Sequence, residues 1–192
     1  MTFTLDKGDS LSLDKAAPGL EHVLIGLGWK PRRTSGEKFD LDVSALLVTS
    51  AGTVRSNADY IFYNQKNHLS GALSHSGDNR TGEGDGDDET LNLETGLIQA
   101  DIDRIIIVVS IDKALERGQR LGLVDDAYVR IVNTATDEEV IRYDLREELG
   151  AESVAIFAEI FRENGGWSFR AIGRGHAAGL KALTQEHGVN WG

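Results

Sequence analysis

Apolar and polar residues alternate in short runs along most of the chain, and Gly, Asn and Asp separate the runs. Val23, Ile25, Leu27 and Trp29 fall on one face of a first predicted strand, with His22, Leu24, Gly26 and Gly28 on the other. A second run, 39–49, sets Leu41, Val43, Ala45 and Leu47 against Asp40, Asp42, Ser44 and Leu46. Further strands are predicted over 59–64, 104–111, 127–133 and 139–144. The segment 154–162 fits two periods, because Val154, Phe157, Ala158 and Phe161 suit a helix while Val154, Ile156, Ala158 and Ile160 suit a strand. Asn164-Gly165 followed by alternating Trp167, Phe169 and Ala171 decides for an antiparallel hairpin, since Asn-Gly supplies the positive φ angles of a two-residue turn. Helices are expected only at 113–119 and, near the C-terminus, at 176–186. Many short strands with few crossover helices predict a mainly β fold: an antiparallel two-sheet β-sandwich with a few short helices, including a C-terminal one. No repeat or linker divides residues 1–192, so a single domain is expected.

Composition narrows the chemistry. The chain has no Cys, which removes disulfides, thiolate metal sites and cysteine nucleophiles. Thirty-one acids against 20 bases give a net charge of −11, which repels nucleic acid and anionic membranes and attracts cations. The longest apolar run, Ile105 to Val109, is too short to span a bilayer, and Asp6 and Asp9 stand where an export signal needs a basic and then an apolar stretch. A soluble, cytoplasmic protein without membrane insertion or nucleic-acid contact is the expectation. No serine lies in a Gly-x-Ser-x-Gly elbow, and the five histidines form no metal-type pair. Gly173-Arg174-Gly175-His176-Ala177-Ala178-Gly179 imitates a dinucleotide fingerprint, but only 13 residues follow it, too few for the second strand and its acid.

The acids are concentrated. Between Asp78 and Glu89 stand Asp78, Glu83, Asp85, Asp87, Asp88 and Glu89 against Arg80 alone, interleaved with Gly82, Gly84 and Gly86. Asp40 and Asp42 project from one face of their predicted strand, about 7 Å apart. Eight carboxylates offer about sixteen oxygens before Asn79, Thr81 and backbone carbonyls are counted, and two calcium ions need roughly twelve to sixteen. An EF-hand register from Asp78 puts Arg80 at its third position and Glu83 where Gly is required, and a calcium-binding nonapeptide would need several copies. Asp40, Asp42, Asp78, Asn79, Glu83, Asp85, Asp87, Asp88 and Glu89 are the candidate metal ligands, expected to join in one site.

The stretch Gly77-Asp78-Asn79-Arg80-Thr81-Gly82-Glu83-Gly84-Asp85-Gly86-Asp87-Asp88-Glu89, with Phe39-Asp40-Leu41-Asp42 upstream, closely resembles the TerD family of tellurium-resistance and general stress proteins. The likeness extends to Leu5-Asp6-Lys7-Gly8, Gly26-Leu27-Gly28-Trp29, Tyr60-Ile61-Phe62-Tyr63-Asn64-Gln65, Arg142-Tyr143-Asp144-Leu145 and the run from Trp167 to Gly173. The resemblance implies a bacterial β-sandwich that binds two calcium ions, acts beside other stress-operon proteins and carries no established enzymatic activity. Lys30, with Pro31-Arg32-Arg33 after it, departs from a family pattern that often has an acid there. The expected function is therefore a calcium-binding stress-response protein, a non-catalytic, metal-dependent interaction module. The alternative is a hydrolase or phosphoryl-transfer enzyme using two divalent ions, which the absence of His among the clustered acids disfavours.

Overall fold

The computed structural model describes residues 1–30, 38–77, 86–145 and 149–192, with Asp125 described by its backbone alone. In chain order the elements are β1 (Phe3–Thr4), β2 (Ser10–Ser12), α1 (Leu13–Ala16), β3 (His22–Lys30), β4 (Leu41–Val48), β5 (Tyr60–Ile61), β6 (Leu73–His75), β7 (Glu89–Glu94) and β8 (Arg104–Ile111). Then come α2 (Ala114–Arg117), β9 (Asp125–Asn133), β10 (Glu138–Asp144), β11 (Val154–Glu163), β12 (Gly166–Gly175) and α3 (Gly179–Glu186). They form two six-stranded sheets, ordered β1-β10-β9-β3-β7-β6 and β2-β12-β11-β8-β4-β5. Among the described residues the strand pairs are antiparallel except β1–β10, where Phe3 and Thr4 run parallel to Ile141 and Arg142.

The main core lies between the sheets. Val23, Ile25, Leu27 and Trp29 of β3 are buried with Leu41, Val43, Ala45 and Leu47 of β4, the inward faces that the alternation predicts. A second apolar layer covers the other side of the second sheet, where Leu46, Val48, Ile106, Val108, Val154 and Ile156 pack with Leu183 of α3 and with Val189. The central strands of that sheet are thus buried on both faces. Their near-continuous apolar runs, Ala45–Val48 and Ile105–Val109, follow from having no solvent side to serve with polar residues.

β11 explains its own ambiguity. Its register shifts between Ile156 and Ala158 against both neighbours. This bulge changes the phase of the strand, so Val154 and Ile156 face the second layer while Phe157, Ala158 and Ile160 enter the main core. The residues that suit a helix are divided between the faces, Val154 in the second layer and Phe157 and Ala158 in the main core. The turn that follows has Asn164 at φ 49° and Gly165 at φ 80°, the hairpin geometry expected of Asn-Gly.

Differences from the predicted elements fall at short pieces. The strand expected over 59–64 is reduced to β5, after a 3₁₀ turn at Asn57–Asp59. Helix α2 covers four residues, and α3 begins at Gly179 instead of 176. Strands β1, β2, β6 and β7 and helix α1 were not anticipated. Among the described residues no helix is long and apolar enough to cross a membrane.

Candidate metal centre

Strand registers place the end of β3, the starts of β4 and β7 and the end of β8 at one end of the sandwich, since Leu27 faces Glu89 and Leu41 faces Ile111. Five of the candidate ligands, Asp40, Asp42, Asp87, Asp88 and Glu89, lie at this acidic end. Asp78, Asn79, Glu83 and Asp85 lie outside the described residues. The five point in different directions.

Asp87 lies on the outer face of the first sheet, against Gly26 of β3, where a Cβ would overlap its carboxylate. Its Oδ1 accepts from Arg130 Nε at 2.8 Å and faces the Tyr128 hydroxyl at 3.1 Å. That hydroxyl also reaches the Gly86 carbonyl at 2.9 Å. The Tyr128 ring covers Gly28, where a Cβ would again collide, and the Arg142 guanidinium lies 3.9 Å from its centroid. Burial, reinforced by the Asp87 charge, pushes the Tyr128 hydroxyl up to about 12, so it stays a donor. Gly26 and Gly28 thus leave two outward recesses in β3, one filled by a carboxylate and the other by the ring that braces it.

Asp88 turns toward the backbone of β3. Its N–H donates to Leu27 O at 2.8 Å, and its Oδ2 accepts from Trp29 N–H at 3.0 Å. Burial raises the pKa of this carboxyl, the Trp29 bond opposes the shift, and the neighbouring Asp87 charge adds to it.

Glu89 points between the sheets and is almost completely buried. Its Oε2 accepts from Val43 N–H at 2.6 Å, and His75 Nε2 lies 3.6 Å from the same oxygen. His75 Nδ1 accepts from Gly77 N–H at 2.9 Å, which assigns the ring proton to Nε2, and Nε2 donates to Val43 O at 2.9 Å. Side chains from the first sheet therefore bond both backbone groups of Val43. The reason is local: β5 pairs only with Ala45 and Leu46, so it does not extend to Val43.

Asp42 belongs to the outer face of the second sheet. Asp42 shares the phase of Ser44 and Leu46 and sits across from Ser110. Asp40 immediately precedes β4, and its carbonyl accepts from Asp112 N–H at 2.9 Å. Asp42 and Asp87 consequently face opposite outer sides of the sandwich. Among the described residues no three His, Asp or Glu side chains come together as a metal-holding group. Sequence reasoning missed the brace of Tyr128 and Arg130; the two outward glycines of β3 were the available sign that something packs there.

Stacked sheets with carboxylates gathered at one end, anchored by backbone amides and an Arg–Tyr brace, define a class of acidic-ended β-sandwich proteins. Comparison with known proteins makes the class specific. The model of the TerD domain matches residues 1–187. Over 190 residues the chain is 47% identical to tellurium resistance protein TerD of Serratia marcescens, covering 99% of each. It is 45% identical to general stress protein 16U of Bacillus subtilis over 193 residues, all of both chains. Among solved structures, a homologue of telluride resistance protein TerD from Streptomyces coelicolor superimposes with a TM-score of 0.68 at 22% identity, over 86% of this chain and 96% of that one. This last likeness concerns the fold. The chain belongs to the TerD family.

Proposed function

We propose that the protein is a calcium-binding stress-response module that works through metal-dependent shape or assembly and not through turnover. The observation that carries this reading is the adjacent pair Asp87 and Asp88, both held against β3 at the foot of the acidic stretch. Burial raises the pKa of the Asp88 carboxyl by making its negative charge costly, and a cation beside it would offset that cost; Asp87 already meets the Arg130 guanidinium at 2.8 Å. The donors are all oxygen, which suits a hard ion with six to eight ligands. Asp87 on one outer side of the acidic end and Asp42 on the other fit two ions better than one. Asp40, Asp78, Asn79, Glu83 and Asp85 complete the proposed ligand set, and Glu89, turned between the sheets, supports that end of the sandwich from inside. Relatives named for tellurium resistance and general stress support the stress role. In this reading the protein works in the cytoplasm with other stress-operon proteins. At the described part of the site no His stands beside the outward acids to act as an acid or base, because both nitrogens of His75 are bonded to backbone.

The test is calorimetric titration of chelator-treated protein with calcium. About two equivalents should bind, with Asp87→Asn and Asp42→Asn each removing one of them, and an excess of magnesium should compete poorly. Absence of calcium uptake by the wild type would defeat the reading.

A further inference from the structure

The connection from β5 to β6 carries a turn, His68 to Gly71, closed by the Gly71 N–H donating to His68 O at 3.0 Å. Within it a carboxylate, an imidazole and a hydroxyl stand in sequence. His68 Nε2 lies 2.9 Å from Asp59 Oδ1, and His68 Nδ1 lies 2.7 Å from Ser70 Oγ. The Ser70 backbone N–H also reaches Nδ1, at 3.2 Å. A backbone amide can only donate, so Nδ1 carries no proton, and the ring proton sits on Nε2 and is given to Asp59. The Ser70 hydroxyl is therefore the donor in the 2.7 Å bond. Arg55 holds Asp59 as a carboxylate, with Nη2 donating to Oδ1 at 2.7 Å and Nε to Oδ2 at 3.0 Å. Asp59 and His68 are both nearly closed to solvent.

Ser70 is the open end of this chain of groups. It is half-buried, and Gly71 beside it is exposed. Leu69 is 87% exposed and Leu97 53%, and the Leu97 side chain lies 3.8 Å from where a Gly71 Cβ would stand. Two apolar side chains thus border the turn. Ser70 Oγ accepts from Ala72 N–H at 3.1 Å, which leaves its second lone pair free to attack. A hydroxyl whose proton is already aimed at an imidazole backed by a carboxylate is the arrangement of a nucleophilic serine. Closing the turn needs only the amide bonds of Gly71 and Ala72, and the buried imidazole–carboxylate pair behind the hydroxyl exceeds that need. The amides of Ser70, Gly71 and Ala72 are each spent within the turn, so they offer no cradle for an oxyanion. This restricts the acyl donor to one with a good leaving group and favours a single transfer over turnover.

We propose that Ser70 is an acyl-acceptor site, taking the acyl group of an activated ester onto Oγ with His68 as the base and the acyl chain lying on Leu69 and Leu97. The bond from Oγ to the carbonyl carbon forms and the bond from that carbon to the leaving oxygen breaks. The hydroxyl proton passes to His68 Nδ1 and from there to the departing oxygen, while the Nε2 proton stays with Asp59. The chain has no Cys, so no thiol competes for the acyl group. The site does not rest on the calcium reading and is measured in chelator. The probe is p-nitrophenyl butyrate, followed by stopped-flow absorbance and by mass-spectrometric peptide mapping. The expected result is a burst of about one equivalent of nitrophenol, with the butyryl group on Ser70. Ser70→Ala should lose the burst, and His68→Gln, which keeps a donor for Asp59 but supplies no base, should slow it about a hundredfold. Ser74→Ala, which removes a half-buried hydroxyl on β6, should react like wild type. Mapping of the wild type locates the acyl group even where a variant folds poorly. No burst, a butyryl group carried by lysines or spread over other serines, or a burst unchanged in Ser70→Ala or His68→Gln overturns the proposal.

Discussion

Single residues carry much of the polar order in this protein, and Asp59 shows how. It is nearly completely buried, and burial alone would raise its pKa. Hydrogen bonds from Arg55 and from His68 Nε2, at 2.9 Å, outweigh that and hold it at about 2. Arg55 in turn spans to Asp101, at 3.0 and 3.1 Å. A carboxyl held below its unfolded value of 3.8 adds stability that is complete above that pH and disappears as pH falls through about 2. The shift is worth about 2 kcal/mol. Urea denaturation between pH 5 and pH 2 should therefore show wild type losing about 2 kcal/mol more than Asp59→Asn over that interval; parallel losses would contradict the assignment. Gly26 offers a second test. A methyl group there enters the space of the Asp87 carboxylate, so Gly26→Ala should cost about 1–3 kcal/mol of stability and weaken calcium uptake together. Chemical denaturation and calorimetry on the same sample check both.

At the scale of elements, the second sheet separates what the alternation of residues reveals from what it hides. β8 occupies 104–111 as predicted, because its apolar character and bounding polar residues are unambiguous. β4 was legible too, but the pattern could not say that Leu46 and Val48 meet a second apolar layer, since the residues covering them come from α3 and the C-terminal segment. β7 went unread for a different reason. Glu89, Leu91 and Leu93 share its inward phase, and a buried Glu at the head of that phase looks like part of the acidic stretch. The candidate ligands themselves were legible by type and spacing. Their directions were not, because whether Asp42 and Asp87 face each other depends on which sheet each strand joins. The second layer also sets an expectation for α3: Leu183→Ala should cost about 2–4 kcal/mol in a denaturant melt, as for a fully buried leucine. Leu115→Ala on exposed α2 should cost almost nothing.

For the whole molecule, the net charge of −11 and the grouping of acids at one end mean that the metal-free fold carries a local repulsion which calcium would relieve. Folding and binding should then be linked. At calcium concentrations about 100 times the dissociation constant, each independent site adds roughly 2.7 kcal/mol, and the melting temperature should rise accordingly. Scanning calorimetry in chelator and in millimolar calcium measures the difference, and superimposable transitions would rule the linkage out.

Val43 gives the acidic end a further property. Its amide lies where β4 has run past β5, a place where an edge strand would ordinarily trade protons with water at each local fluctuation. Here the donor and acceptor of that one residue are both satisfied from the opposite sheet, by Glu89 and His75. The two sheets cannot part at this end without breaking both bonds in the same event. In a hydrogen-exchange measurement the Val43 N–H should thus keep its proton nearly as long as the fold itself lasts.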